Sequence, residues 1–433
     1  MSKQLTRRGL LSLAGSAAVL PVLGACGAGA PKQPEAGDDA GSDKQGGGGT
    51  FTVYWNAGHG YAAYQAVIDE FEKAHGVKVQ LQKFQWPDLR TRILADFASG
   101  NVPDVCEEPG GWVQEFALTG DVLPLQKYVD ADGAAMGFPS DWQPNTVTRN
   151  SYQNKVYGIQ LHLTCMLLFY NQELLDAAGV EPPTTWDDLL SAAKELTKDG
   201  VHGIALNQDP GYTWPWLLQN GVRDYDPQTK RVLTPQVAAV EALQFQADLV
   251  HKHKVSPVPT PGTDYSGPQK LLSAKRAAMI VTGPWDLQPI AQTSPDLKLG
   301  IAAPLRHKEQ ITSAAGTSVF VPAKAKRPDL SWDFIKRITK LQVELAATKE
   351  AGMLMPRKSW AKDATVQSDQ KYKPFANALG TAVDTGERLR LTGKSGELAE
   401  AFKTMYQGIV MQNQPAAKAV QQYADAAAKV LGG

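Results

Sequence analysis

The chain has 433 residues, with 44 basic and 44 acidic side chains and a formal net charge of zero. That balance, with no basic tract or stripe along the chain, excludes nucleic acid as a partner class. Hydrophobic residues make up 43% of the sequence, enough to bury a large core, and a chain of this length is expected to divide into two domains.

Arg7 and Arg8 precede an apolar segment from Leu10 to Leu23 that is broken by small residues. A charged start, a short apolar stretch and a small-residue exit read as an export signal rather than a membrane span. Thr6–Leu11 is similar to a twin-arginine motif, a pattern that Sec-type signals also carry. Leu23-Gly24-Ala25-Cys26 resembles a bacterial lipobox. The expectation is a signal peptide over residues 1–25, with Cys26 carrying lipid and tethering the protein to a membrane surface without spanning it. Residues 26–49 are mostly Gly, Ala, Pro, Asp and Lys and read as a flexible linker. No later apolar run reaches the ~20 residues of a membrane helix. Past Cys26 only Cys106 and Cys165 remain. They are expected as two buried thiols, with pairing open, and no zinc-type Cys/His spacing is present.

Phe51–Trp55 has strand composition and runs into the turn Asn56–Gly60. Tyr64, Val67, Ile68 and Phe71 then recur on one helical face, and Gly76 ends the helix. Val77, Val79 and Leu81 alternate with polar residues as a second strand. Pro87 starts a helix with Leu89, Ile93, Leu94 and Phe97 inside, and Pro103–Cys106 is a third strand. This βαβαβ order predicts a largely parallel sheet with covering helices, and ligand chemistry in the loops after its strands, Asn56–Gly60 and Glu107–Trp112. Thr185-Trp186-Asp187-Asp188 has the form of a capping box, which makes Trp186 a core residue. Trp332 opens another helix face and is read as core too. Ala277–Val281 is a short apolar run ending in Thr282-Gly283-Pro284-Trp285, a buried strand that turns into a helix. That turn offers free N–H groups and the flat face of Trp285 at one point.

The order of motifs resembles family 1 extracellular solute-binding proteins, the maltose-type components of ABC importers. The matching stretches are Phe71–Val79, Ala98–Val105, Tyr157-Gly158-Ile159 with Phe169–Leu175, Pro182–Leu189, Ala277–Trp285 and Gly352–Arg357. The resemblance covers about residues 50 to 430. It implies an α/β, two-lobed periplasmic-binding-protein-like fold of type II, hinged around a ligand cleft. The expected lobes are 50–161 with 316–345, and 165–314 with 346–431. The chain is expected to cross between them near Gln160–Cys165, Ser313–Thr317 and Ala346–Gly352.

The expected ligand contacts combine loop position with that resemblance. On the first lobe they are Gly58 and His59, a single sugar-accepting carboxylate at Glu108, Gly110 and Trp112. Thr164, Gly316 and Thr317 lie on the crossings. Trp214 and Trp216 are read as loop tryptophans, costly to expose without use. Gly283, Trp285 and Asp286 share one turn, and Arg357 ends the last motif. Glu107 and Glu108 point to opposite faces of a strand, so they do not form a glycosidase pair. The function implied is a lipid-anchored, extracytoplasmic, monomeric protein at the cell membrane that delivers a di- or oligosaccharide to ABC permease subunits, with no cofactor and no metal. The alternatives are a binder of another polar solute, such as a polyol or glycerophosphodiester, and an exported carbohydrate-active enzyme.

Overall fold

The structure, a computed structural model, describes residues 48–262 and 264–432. The expected signal peptide, the lipobox cysteine and most of the linker lie outside the described residues.

Strand Thr50–Asn56 is buried on both faces because its side chains alternate between two cores. Phe51, Val53 and Trp55 join one core, and Tyr54 joins another with Leu89, Ile93 and Phe97. The helix Ala62–His75 buries Tyr64, Val67, Ile68 and Phe71 and stops at Gly76, where φ is +64°. Strand Lys78–Phe84 pairs parallel with the first strand, and so does Val105–Glu108 on its other side. Between them lies the helix Trp86–Ser99. Its buried apolar residues are Leu89, Ile93 and Phe97, whereas Leu94, expected inside, is 46% exposed.

Two long strands and the short Ala382–Asp384 complete this six-stranded sheet. Gly158–Cys165 is buried at all eight positions and runs antiparallel to Thr312–Phe320. The opposite edge of Thr312–Phe320 is shared. Residues 318–320 pair antiparallel with Val105–Glu108, and 312–314 pair parallel with Ala382–Asp384. Positions 315–317 of that edge are thereby left for a loop.

A second, three-stranded sheet places Leu167–Asn171 between Met279–Thr282 and Leu299–Ala302, all antiparallel. Its core is formed with helices Trp186–Leu196, Gln236–His251, Ser395–Val410 and Ala416–Leu431. The capping box of Thr185 and Asp188 is present, and Trp186 is 3% exposed with its indole N–H donating to Gln219 Oε1 at 2.7 Å. Cys106 and Cys165 are buried and unpaired.

Three expectations are corrected. Trp214-Pro215-Trp216 is not a loop but the start of the helix Trp214–Gln219, with proline in its first turn, where a missing N–H costs nothing. That helix turns Trp216 into the second core, 2% exposed, 5.6 Å from Trp186 and 5.9 Å from Phe245 between ring centroids. The chain also does not pass wholly to the second sheet after residue 346. Leu341–Ala351 packs on Ala62–His75, with the Glu350 carboxylate accepting from Ala62 and Ala63 N–H at that helix's start, and Ala382–Asp384 returns to the six-stranded sheet.

Arg357 is the third. It is 6% exposed, with its guanidinium 3.8 Å from the Trp142 ring centroid. It donates to the carbonyls of Met136 and Thr339 and to Asp141 Oδ2, and its Nε lies 3.4 Å from Glu344 Oε1. It is a structural clamp, neither a ligand residue nor a surface ion pair. Burial pushes the Glu344 carboxyl up to about 8 even with Arg357 opposing it. Arg357→Ala is therefore expected to lower stability by several kcal/mol, because the Met136 and Thr339 carbonyls and the Asp141 carboxylate lose their donor, at about 1–3 kcal/mol for each buried acceptor left unpaired. Denaturant melts should show the deficit widening above about pH 8, where Glu344 ionises in the parent but not in the variant.

Candidate functional site

The carboxyl ends of the first three parallel strands carry an aromatic rim. At the first, Asn56 folds the turn by accepting Gly58 N–H on Oδ1 at 2.8 Å and His59 N–H on its carbonyl at 3.1 Å. Trp55 Nε1 donates to the His59 carbonyl at 2.7 Å, which holds the turn down. His59 then stands 5.9 Å from the Trp86 ring and 6.0 Å from the Tyr61 ring. Trp86 follows the second strand and lies edge-on to Trp112, which follows the third, at 6.2 Å. Arg90 stacks its guanidinium 5.0 Å from the Trp112 centroid. His59 and Trp112 were expected here. Tyr61 and Trp86 were not, although Trp86 sits after the strand Val77–Gln82 that the sequence marks, where the same strand-end rule applies.

Glu107 and Glu108 do face opposite ways. Glu107, fully buried, accepts from His59 Nδ1 at 2.6 Å and from Asn56 N–H at 2.8 Å. Glu108, also fully buried, accepts Trp112 N–H at 2.8 Å at the start of helix Trp112–Thr119, and its other oxygen has no protein partner. Burial pushes its carboxyl up to about 7 against the pull of Arg149. Glu108 thus lies beneath the rim rather than on it.

Gly110 and Gly111 fill the gap left at positions 315–317. Their φ values are +91° and +114°. A Cβ on Gly110 would lie 2.4 Å from Arg149 Nη2 and 2.8 Å from the Gly316 carbonyl, and one on Gly111 would lie 2.4 Å from Arg390 Cδ. Only glycine admits this approach. Below the pair, Asp384 meets both Arg149 and Arg390. Arg149 Nε and Nη1 and Asp384 Oδ1 have no hydrogen-bond partner within the protein, nor do the nearby buried hydroxyls of Thr164 and Ser313. A set of unpaired donors and acceptors of this kind calls for hydroxyl-bearing partners, water or ligand.

On the crossing strands, Thr317 Oγ1 lies 2.9 Å from His162 Nδ1, and Tyr64 OH lies 2.9 Å from His162 Nε2. Burial, and then the neighbouring His59, hold His162 well below its ordinary range. Gly316 serves the strand contact itself, since a Cβ there would lie 2.1 Å from the His162 carbonyl.

The second sheet supplies a different surface. Strand Met279–Thr282 enters the short 3₁₀ turn Pro284–Asp286 through Gly283. The Trp285 ring folds back so closely over Gly283 that a Cβ would lie 2.3 Å from it. Its Nε1 donates to Tyr212 OH at 3.0 Å, with the two rings edge-on at 6.1 Å. Trp285 remains partly exposed. Asp286, 6% exposed, accepts from Thr282 Oγ1 at 2.6 Å, and burial pushes its carboxyl up to about 6. Tyr265, 51% exposed, stands in the field of Asp286. Trp214 is partly exposed and stacks on Phe402 at 5.3 Å.

Comparison with known proteins gives one consistent picture. Residues 55–351 match the model of the bacterial extracellular solute-binding protein family. The chain is similar to the diacetylchitobiose binding protein DasA of Streptomyces coelicolor, 24% identical over 400 residues and covering 88% of each chain. It is similar in structure to the GacH receptor of Streptomyces glaucescens, solved unliganded and with acarbose, at 28% identity and a TM-score of 0.77, covering 89% of this chain and 98% of that one. The fold is shared with an ABC transporter solute-binding protein from Agrobacterium radiobacter in complex with ribitol, at 20% identity, 88% and 98% coverage and a TM-score of 0.75. The match spans well over half of the chain and the two-sheet architecture agrees with it, so this protein is a member of the family 1 bacterial extracellular solute-binding proteins.

Proposed function

We propose that the protein captures a sugar, a di- or oligosaccharide, between two hinged lobes built on the two sheets and delivers it to an ABC permease. The observation that carries this reading is the pair of fixed aromatic surfaces at strand ends. His59, Tyr61, Trp86 and Trp112 rim one sheet, and Tyr212 and Trp285 stand at the end of the other. Pyranose rings have apolar C–H faces and hydroxyl edges, and a tryptophan flanked by carboxylates and amide groups suits both. The sugars named for DasA and GacH support it. A polyol is the second reading, favoured by the ribitol complex on the same fold. The family is one of solute-binding proteins.

Trp285→Ala is expected to weaken binding of the sugar that best stabilises the parent by about 2–4 kcal/mol. That is roughly a thirtyfold to thousandfold rise in Kd by calorimetric titration. Normal affinity in the variant together with a large loss of stability would make Trp285 a core residue and remove the reading. Asp286→Asn tests the neighbouring carboxyl. In the parent, its contribution to stability is fully present below about pH 4, the unfolded value, and is lost as pH rises through about 6. The variant should lack that decline, so its melts between pH 4 and 7 should be flatter by about 2–3 kcal/mol. The membrane tether rests on Cys26, and Cys26→Ser should move the protein from the membrane fraction to the soluble one without lipid. A variant that still carries lipid would end the lipobox reading.

A further inference from the structure

We propose that His59, Glu107 and His162 form a binding site for a divalent ion of the zinc class. The three come from separate elements: the turn after the first strand, the end of the third, and the crossing strand Gly158–Cys165. Their donor atoms converge within 4.8 Å of one another. Glu107 Oε1 is the centre of the group, 2.6 Å from His59 Nδ1 and 3.9 Å from His162 Nδ1.

The donor set selects the ion. Two imidazoles and one carboxylate suit zinc and its neighbours, whereas calcium and magnesium take oxygen shells. Zinc bonds of about 2.0–2.2 Å in a tetrahedron hold donors about 3.3 Å apart. The His59–Glu107 contact therefore opens and the Glu107–His162 contact closes, each by less than about 1 Å, a donor pair at the 4.8 Å limit closes by about 1.5 Å, and His162 Nδ1 exchanges its contact with Thr317 Oγ1 for the ion.

The surroundings match what a metal shell needs. His162 is oriented through its far nitrogen by Tyr64 OH at 2.9 Å, and Glu107 is oriented through its second oxygen by Asn56 N–H at 2.8 Å. Outer partners of this kind fix ligand geometry. Glu107 and His162 are fully buried, while the His59 side chain is 15% exposed. An ion enters past His59, and the fourth position is left to water on that side. Bound there, it staples the His59 turn to the third strand and the crossing strand, which ties part of the aromatic rim to the sheet. This proposal does not depend on the nature of the solute, and no sugar is used to test it.

The test uses the full chain stripped with chelator, titrated with Co2+ by visible absorption and with Zn2+ by calorimetry. The parent is expected to bind a single equivalent of either ion at this site, to show the strong visible bands of tetrahedral cobalt, and to melt at a higher temperature with Zn2+. His59→Gln and Glu107→Gln should each weaken binding at least about tenfold, the lower end of the loss seen when even an outer partner is removed. Both should lose the cobalt bands while circular dichroism stays that of the parent. His75→Gln, at the partly exposed pair with Asp333, should change none of these. The proposal is overturned if the parent gives no such bands, or if both glutamine variants fold and bind as the parent does.

Discussion

The contact on which this molecule depends most is the approach of two buried strands at Gly316. Its carbonyl neighbour His162 leaves no space for a side chain, and φ there is +148°. With glycine in place, Gly158–Cys165 and Thr312–Phe320 run together along nearly their whole length. That register sets Thr317 beside His162 and Ser318 beside Gln160, and it brings the Gly316 carbonyl against Gly110. A side chain at 316 would separate the strands and loosen the loop Glu107–Trp112 along with them. One absent Cβ thus positions residues that are more than 150 apart in the chain.

Local structure was legible because it obeys short-range rules. The helix Ala62–His75 has its four apolar residues at helical spacing and a left-handed glycine at its end. Thr185 and Asp188 carry a reciprocal cap that any reader of the sequence can find. The core assignments of Trp186 and Trp332 follow from the same periodicity. Motif order made the family and fold legible as well. Trp216 escaped because its direction depends on where a six-residue helix starts, and proline in the first turn shifts that start by a residue or two. Arg357 escaped because its partners come from two separate stretches, Met136 and Asp141 in one and Thr339 and Glu344 in the other. Strand alternation separated Glu107 from Glu108 but did not say which one faced the first turn. That depends on the sheet order, in which the third strand lies beside the first.

Four of the buried carboxylates differ in the partner each is given. Glu107 is met by an imidazole and a backbone N–H, Glu108 by a helix N-terminus with Arg149 nearby, Glu344 by Arg357, and Asp286 by a threonine hydroxyl. Burial raises Glu108, Glu344 and Asp286, and in the first two an arginine opposes the rise. For Asp286 only the Thr282 hydroxyl opposes the rise. A carboxyl held by one hydroxyl, beside a partly exposed tryptophan, keeps acceptor capacity that a solute hydroxyl can use. Glu344 is clamped by Arg357, and its charge also acts on the buried Tyr64.

The two aromatic surfaces are fixed by different means, and this bears on what binding costs. On the first sheet the rim residues hold one another: Trp55 ties the His59 turn, and Trp86, Trp112 and Arg90 brace one another edge to face. On the second, Trp285 has little freedom because its ring closes over Gly283 and its N–H is spoken for by Tyr212. Immobilising a side chain on binding costs about 0.5–1.5 kcal/mol, so walls that are already held leave more of the contact energy as affinity. In the proposed function, what remains to be ordered is the relation between the lobes, and a hinge is closed only by contacts that the open form lacks. A solute long enough to touch both surfaces supplies them, whereas one that reaches a single surface does not. On the proposed function, the length of the solute, more than the identity of any one hydroxyl, would then separate a ligand that closes the lobes from one that only visits a single surface.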